Sequence, residues 1–311
     1  VDDPSRRGLP ELGWEMVSVK VACLMMQKNE GRMLDSWIRY HADLFGIENL
    51  YVFDNGSTDE ETLGIVARAG EAGAQVILDC KTHMHFEKKG EVFKSKVRQL
   101  EKSDPDYTYF IFLDCDEFIV AVNDKNAVDL SDGAVLGVLE ALPRTGSAKY
   151  VRGTYNNHPT EIDKFYFKNE RKSFFERETL KSLDTGFHHG QAVNGTSETV
   201  RSIALLHFHN RPYASLLRSA RQKLAGRVKS FSREDLTDLI ARKGRGRHLV
   251  PYFLMSEADY IAGFKTPNAR TIPFKARLAR VAAEYPFQRD LDEMQPGAAP
   301  STVLGLDYPL D

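Results

Sequence analysis

The 311 residues (35.2 kDa) are 42% hydrophobic and 28% charged, an ordinary globular composition that excludes wholesale disorder and suffices for a large core. Forty-two Lys and Arg stand against 44 Asp and Glu, a net charge of −2, so no global positive field exists to neutralise a nucleic-acid backbone and nucleic acid is not expected as a partner. Cys23, Cys80 and Cys115 lie too far apart for a disulfide framework or zinc knuckle, the first residues lack a charged-then-apolar signal layout, and no run nears the ~18 apolar residues of a membrane span, so a cytoplasmic, reducing setting is expected.

Val17 to Met26 is a β-branched and apolar run that breaks at Gln27-Lys-Asn-Glu30, the pattern of a buried strand delivering a polar loop. From Arg32 to Phe45, Met33, Leu34, Trp37, Ile38, His41, Leu44 and Phe45 recur at three and four, which predicts a one-sided helix stopped by Gly46. Leu50-Tyr-Val-Phe53 is a short strand leading into Asp54-Asn-Gly-Ser-Thr-Asp59. A helix over 62–72 follows, then a strand over 75–78, a helix over 91–102, and an aromatic strand from Tyr107 to Leu113 ending at Asp114. This βαβαβαβ order predicts an α/β fold with a mostly parallel sheet flanked by helices, which binds ligands at the carboxyl ends of its strands. Glu30, Asp54 and Asp114 should therefore converge on one crevice.

Beyond Val122 a helix is expected over 134–142, with short strands near Tyr150 and Phe165. An irregular polar stretch from Arg171 to Thr199 comes next, then a strand over 203–208 and a basic helix from Pro212 to about Val228. The tail from Gln295 is rich in Pro, Gly and Ala.

Asp114-Cys115-Asp116 places two carboxylates at i and i+2 where a buried strand ends, a pair able to hold a hard divalent cation beside diphosphate oxygens. An isolated Asp-X-Asp is most often a turn with solvated carboxylates; the apolar strand before it and Phe118-Ile-Val after it weigh against that. Asp54 and Asn55 offer a carboxylate and an amide at a strand end, and Gly56 allows close backbone approach. The same residues also fit an ordinary turn in which Ser57, Thr58 or Asp59 caps the next helix.

Gln27-Lys-Asn-Glu30, the helix with Trp37, the segment Tyr51 to Asp59 and Phe112-Leu-Asp-Cys-Asp-Glu-Phe118 occur in an order that resembles glycosyltransferase family 2-like proteins, nearest the family 92 (DUF23-like) branch. Gly186-Phe-His-His189 and Leu206-His-Phe-His-Asn210, with Arg218 and Lys223, extend the resemblance to about residue 265. It implies a GT-A-like (Rossmann-like) fold acting on a nucleoside-diphosphate sugar, usually UDP-linked, with Mn²⁺ or Mg²⁺ at the Asp-X-Asp pair. It further implies that Asn29 and Glu30 line the nucleotide pocket, that Asp54 contacts the base, that Asp114 and Asp116 bracket ribose and metal, and that transfer to a glycan, lipid-linked or other hydroxyl acceptor inverts the anomeric centre. The expected divisions are an N-terminal extension (1–16), a catalytic domain (17–210, with a nucleotide-sugar and metal half over 17–122 and an acceptor half over 123–210) and a helical C-terminal extension (211–311).

Among the histidines, His188 and His207 are the candidates to complete a metal shell, against the plainer role of hydrogen-bonded structural residues. An inverting transferase also needs a carboxylate base. Glu161, Asp163, Glu178 and Asp184 lie in the right interval, and Asp184, beside Gly186-Phe-His-His189, is the choice. Arg218 and Arg221 sit one turn apart and could share a phosphate, in a basic C-terminal stretch that otherwise reads as a solvated helix face or as peripheral contact with an anionic membrane. Two other readings stay open: a transferase-like binding protein without catalysis, and an Asp-X-Asp phosphohydrolase. Phe118 stands where the latter predicts Thr or Val, and the motif lies far from the N-terminus.

Overall fold

The computed structural model describes residues 19–284 except 162 and 265–267. The expected N-terminal extension and the tail from Gln295 lie outside the described residues. β1 (Lys20–Gln27) has seven of its eight residues buried, as a strand covered on both faces requires. α1 (Arg32–Phe45), β2 (Leu50–Asp54), α2 (Glu60–Glu71), β3 (Gln75–Ile77), α3 (His83–Glu87), α4 (Lys89–Ser103) and β4 (Tyr107–Leu113) follow. The Asp59 side chain caps α2 by accepting Thr62 N–H, so this part of the polar loop serves the helix. β1 pairs in parallel with β2 (Cys23↔Leu50) and with β4 (Met25↔Leu113), which brings the loops after all three strands to one end.

The chain continues through β5 (Glu117–Val122), β6 (Val128–Asp129), α5 (Ala134–Ala141), β7 (Ala148–Val151), β8 (Thr154–Asn157), β9 (Lys164–Lys168) and β10 (Ser173–Glu176). Then come β11 (Leu180–Ser182), β12 (Gln191–Ala192), β13 (Ser197–Val200), β14 (Ile203–His207), α6 (Tyr213–Leu224), α7 (Arg233–Ala241), α8 (Val250–Leu254), α9 (Glu257–Ala262), β15 (Arg270–Thr271) and α10 (Phe274–Glu284). The main sheet runs β13-β7-β10-β4-β1-β2-β3. Among the described residues four of its six pairings are parallel, the α/β architecture expected from the sequence.

Two features depart from expectation. The run after Asp116 starts a second sheet, β15-β9-β8-β14-β5-β6, so the Asp-X-Asp turn joins two sheets. The stretch 171–199 is not irregular: β10 is wholly buried against β4, and Lys149 at its flank is neutralised by Glu176 (2.8 Å) and Glu198 (2.6 Å), which lets polar sequence form sheet interior. The C-terminal helices are also tied to the core. Phe274 of α10 packs on Tyr40, Phe118 and Phe208, and Arg277 pairs with Asp43 and Asp132. Among the described residues no helix is long and apolar enough to cross a membrane.

His41 links α1 to β5. Its Nδ1–H donates to Trp37 O (2.8 Å) and its Nε2 accepts from Ile119 N at 3.5 Å, so the imidazole is neutral. Burial pushes its pKa down to about 3 against the raising effect of the Trp37 bond. An unfolded histidine titrates near 6.5, so between these values the unfolded state binds the extra proton and stability falls as pH falls. From pH 7 to pH 5 the loss from this residue should be about 2 kcal/mol. Urea unfolding of His41→Gln should show a shallower pH slope over that range; an identical slope would remove His41 from the account.

Candidate active site

The first wall is built by the loops after β1 and β2. Gln27 Nε2 donates to Asp54 Oδ1 (2.7 Å), and Asn55 N donates to Gln27 O (2.8 Å). Asn29, at φ 55°, accepts from Thr58 N (2.8 Å) and Asp59 N (3.1 Å) through Oδ1, stitching the two loops together. Asp54 is buried and also accepts from Gly56 N, Ser57 N and Ser57 Oγ, while Asn55 Nδ2 donates to Cys80 O and Thr82 O. Gly56 has φ 74°, and a Cβ there would press on Lys81 O. Asn29, Asp54 and Asn55 therefore shape this wall through internal bonds. Glu30 points elsewhere, to Arg211.

The centre is the Asp-Cys-Asp turn. Asp114 N donates to Glu117 Oε2 (2.9 Å) and Glu117 N to Asp114 O (3.0 Å), closing the turn around a fully buried carboxylate. Lys89, from the start of α4, places Nζ 2.5 Å from Asp114 Oδ1. Lys172, just before β10, reaches Asp114 Oδ2 (2.7 Å) and Glu117 Oε1 (2.9 Å). Both lysines are buried, whereas 34% of the Asp114 side chain faces the crevice. Burial disfavours the Asp114 anion, but Lys172 and Lys89 outweigh it and hold the carboxyl well below the usual carboxylate range. Cys115 turns inward, and burial pushes its thiol well above its ordinary value, so it is no nucleophile.

Beneath the lysines lies Phe187, its ring 4.4 Å from Lys89 Nζ and 5.2 Å from Lys172 Nζ. Its φ of 61° is a costly conformation for a bulky residue. Ser173 holds it by donating both N–H (2.8 Å) and Oγ–H (2.9 Å) to Phe187 O, and the ring stacks on Phe93.

On the other side, Asp116 Oδ1 lies 3.6 Å from His207 Nε2. His207 stands opposite Glu117 in the β14–β5 register, and Phe208 N donates to Asp116 O (2.8 Å). Arg211 donates to Glu30 Oε2 (2.6 Å) and comes within 4.0 Å of Asp116 Oδ2. Burial opposes ionisation of Asp116, yet His207 and Arg211 outweigh it and keep the carboxyl far below its ordinary value. Burial likewise lowers His207, and Asp116 more than reverses this, leaving it raised.

The structure thus brings together Glu30, Asp114, Asp116 and His207 of the predicted set, and adds Lys89, Lys172 and Arg211. Nothing in the pattern around Lys88-Lys89 or Arg171-Lys172 distinguishes these from solvated cations. Arg211 was the more legible, following His207-Phe-His-Asn210 directly. His188 is elsewhere: its Nδ1 bonds Arg171 O (2.8 Å). Asp184 Oδ1 accepts from His189 N (2.7 Å) in a loop packed on Gly90, one residue from Lys89, and makes no polar contact with Asp114 or Asp116 among the described residues. Arg218 is exposed on α6 with no ion pair or hydrogen bond to the cluster among the described residues, and Arg221 lies over the rings of Phe231 (4.9 Å) and Phe253 (5.5 Å).

As a metal centre the predicted quartet of Asp114, Asp116, His188 and His207 does not assemble. Both Asp114 oxygens already meet ammonium groups, which repel a further cation, and His188 is engaged with the backbone. Among the described residues no group of three or more His, Cys, Asp and Glu gathers with ligand geometry. Asp116 with His207 is the one predicted pair whose donor types and placement fit.

No family model matches this chain, and no curated protein matches it. Among solved structures, the chain is similar to the crystal structure of S. aureus TarS at 11% identity and a TM-score of 0.36, over 90% of this chain and 50% of that one. It spans about half the length of that chain, and the functional assignment rests on the residues themselves.

Proposed function

We propose that the crevice at the ends of β1, β2 and β4 binds a nucleoside-diphosphate sugar, UDP-linked by preference, and transfers the sugar with inversion to a hydroxyl of a glycan, lipid-linked or other acceptor. The observation that carries this is the pair of carboxylates at one strand end, each held ionised by its own set of cations. Asp114, anchored at both oxygens yet open on one edge, retains lone pairs to accept ribose or sugar hydroxyls. Arg211 presents a planar guanidinium suited to diphosphate oxygens, with Glu30 setting its orientation. A Mn²⁺ or Mg²⁺ ion would be held by Asp116 and, once its proton is displaced, by His207, where it would neutralise charge on the leaving diphosphate. Asp184 is the proposed base for the acceptor hydroxyl; its Oδ2 has no hydrogen bond among the described residues. A phosphohydrolase reading is disfavoured, because Asp114 as nucleophile would have to leave both lysines.

The reading predicts that UDP with Mn²⁺ raises Tm by several degrees, that Asp116→Ala removes the shift, and that a donor screen finds release of UDP or GDP. A shift without release under any donor and acceptor would indicate a binding protein. Absence of any shift with every nucleoside diphosphate, or phosphomonoester hydrolysis abolished by Asp114→Asn, would overturn the assignment.

A further inference from the structure

Between residues 211 and 248 the chain carries eleven Lys and Arg against three Asp and Glu, within a molecule of net charge −2. Leu224, Leu236 and Leu239 of this segment turn inward and form a small core with Val250, while Ile240 stays exposed. The cations are left outside. Arg218, Lys223, Lys229, Arg233 and Lys243 are exposed, and among the described residues none has a carboxylate at ion-pair distance. A solvated helix face of this size ordinarily interleaves acids with its bases.

This segment is fixed against α3. Arg227 meets the His83 ring at 3.0 Å and Arg245 pairs with Glu87. α3 in turn exposes Met84 (54%) and Phe86 (44%), with Lys81 and Lys88 exposed beside them. Two protruding apolar side chains among unpaired cations have no use in solvent, and a soluble polyanion would engage only the charges. An anionic lipid interface engages both: headgroups meet the cations, and the apolar pair enters the boundary of the acyl chains. We propose that α3 together with α6 and α7 docks this protein on an anionic membrane surface. The Phe86 ring lies 5.3 Å from Lys89 Nζ, so docking sets the crevice close to the lipid plane. The inference stands on charge and exposure alone and does not need the transfer reading.

The test is sedimentation of the full chain with vesicles of phosphatidylcholine alone and with about 30% phosphatidylglycerol, over a range of salt. Binding is expected only to the anionic vesicles and should weaken as salt rises. The Lys223→Glu/Lys229→Glu/Arg233→Glu/Lys243→Glu variant should bind roughly a hundredfold more weakly. Met84→Ser/Phe86→Ser should bind roughly tenfold more weakly with an unchanged salt slope. Circular dichroism confirms that each variant is folded. Equal binding to both vesicle types, or a charge-reversed variant that binds like the parent, would overturn the proposal. So would polyphosphate binding as tight as vesicle binding with no effect of the Met84 and Phe86 changes, an outcome that assigns the patch to a soluble anionic polymer.

Discussion

Lys172→Met should cost about 3–5 kcal/mol of folding stability, the largest loss expected from any single change near the crevice. Lys172 is buried and its ammonium is shared by Asp114 (2.7 Å) and Glu117 (2.9 Å). Asp114 would keep Lys89, but Glu117 is fully buried and has no other cation at ion-pair distance among the described residues. Methionine fills the space of the aliphatic stem, so the cost comes from an uncompensated carboxylate and not from a cavity. Lys89→Met should therefore cost less, since it strips one of two ammonium groups from a carboxylate that also faces the crevice. Adding Glu117→Gln to Lys172→Met should recover part of the loss. Urea unfolding checks all three points. A midpoint unchanged in Lys172→Met would mean that Glu117 is reached by solvent, and the clamp would then not exist as described.

The elements that sequence patterning reveals are those whose burial repeats at a fixed period. α1 shows its apolar stripe from Met33 to Phe45, and β1 and β4 are continuous apolar runs ended by polar loops, so their bounds could be read closely. The second sheet was not legible for the same reason in reverse. Glu117 to Val122 is buried throughout, and an apolar run that follows another apolar strand after three residues carries no sign that it has changed sheets. β10 to β13 are two to four residues each, too short for any period, and Lys149 looks solvated until Glu176 and Glu198 arrive from β10 and β13.

The site divides along the same line. Asp114 and Asp116 stand out because strand ends present side chains to a crevice, a placement that follows from local pattern. Lys89, Lys172 and Arg211 are defined by what they meet 25 to 181 positions away, and no local pattern records that. Arg218 and Arg221 show the converse. Helical spacing put them on one turn, but it could not say that the turn faces solvent and the rings of Phe231 and Phe253. Polar residues at a strand end, such as Asp54 and Asn55, suit ligand contact; the bonds they make within the loops show how such residues also hold a wall in shape.

Asp116→Asn should lower kcat/KM by roughly 10²–10³, about 3–4 kcal/mol of transition-state stabilisation, while leaving the fold intact. Asparagine keeps the shape of the turn and the Phe208 N–H bond to the main-chain oxygen of residue 116. What it removes is the negative charge on which His207 and Arg211 converge. Without it, burial at His207 is opposed by Glu117 alone, so the His207 pKa should fall, and Arg211 should turn wholly to Glu30. Both shifts withdraw groups from the place where the diphosphate is proposed to lie, and the pair proposed to hold a cation loses its charged member. Asp114→Asn should behave differently. It leaves Lys89 and Lys172 with surplus positive charge next to Glu117, so it should lower stability as well as activity, and should tighten rather than weaken the binding of free pyrophosphate. Steady-state kinetics with the donor found in the screen, together with denaturation of both variants, separates the two residues. Equal losses of activity at equal stability would mean that the carboxylates act as one interchangeable pair, contrary to the separate cation sets that surround them.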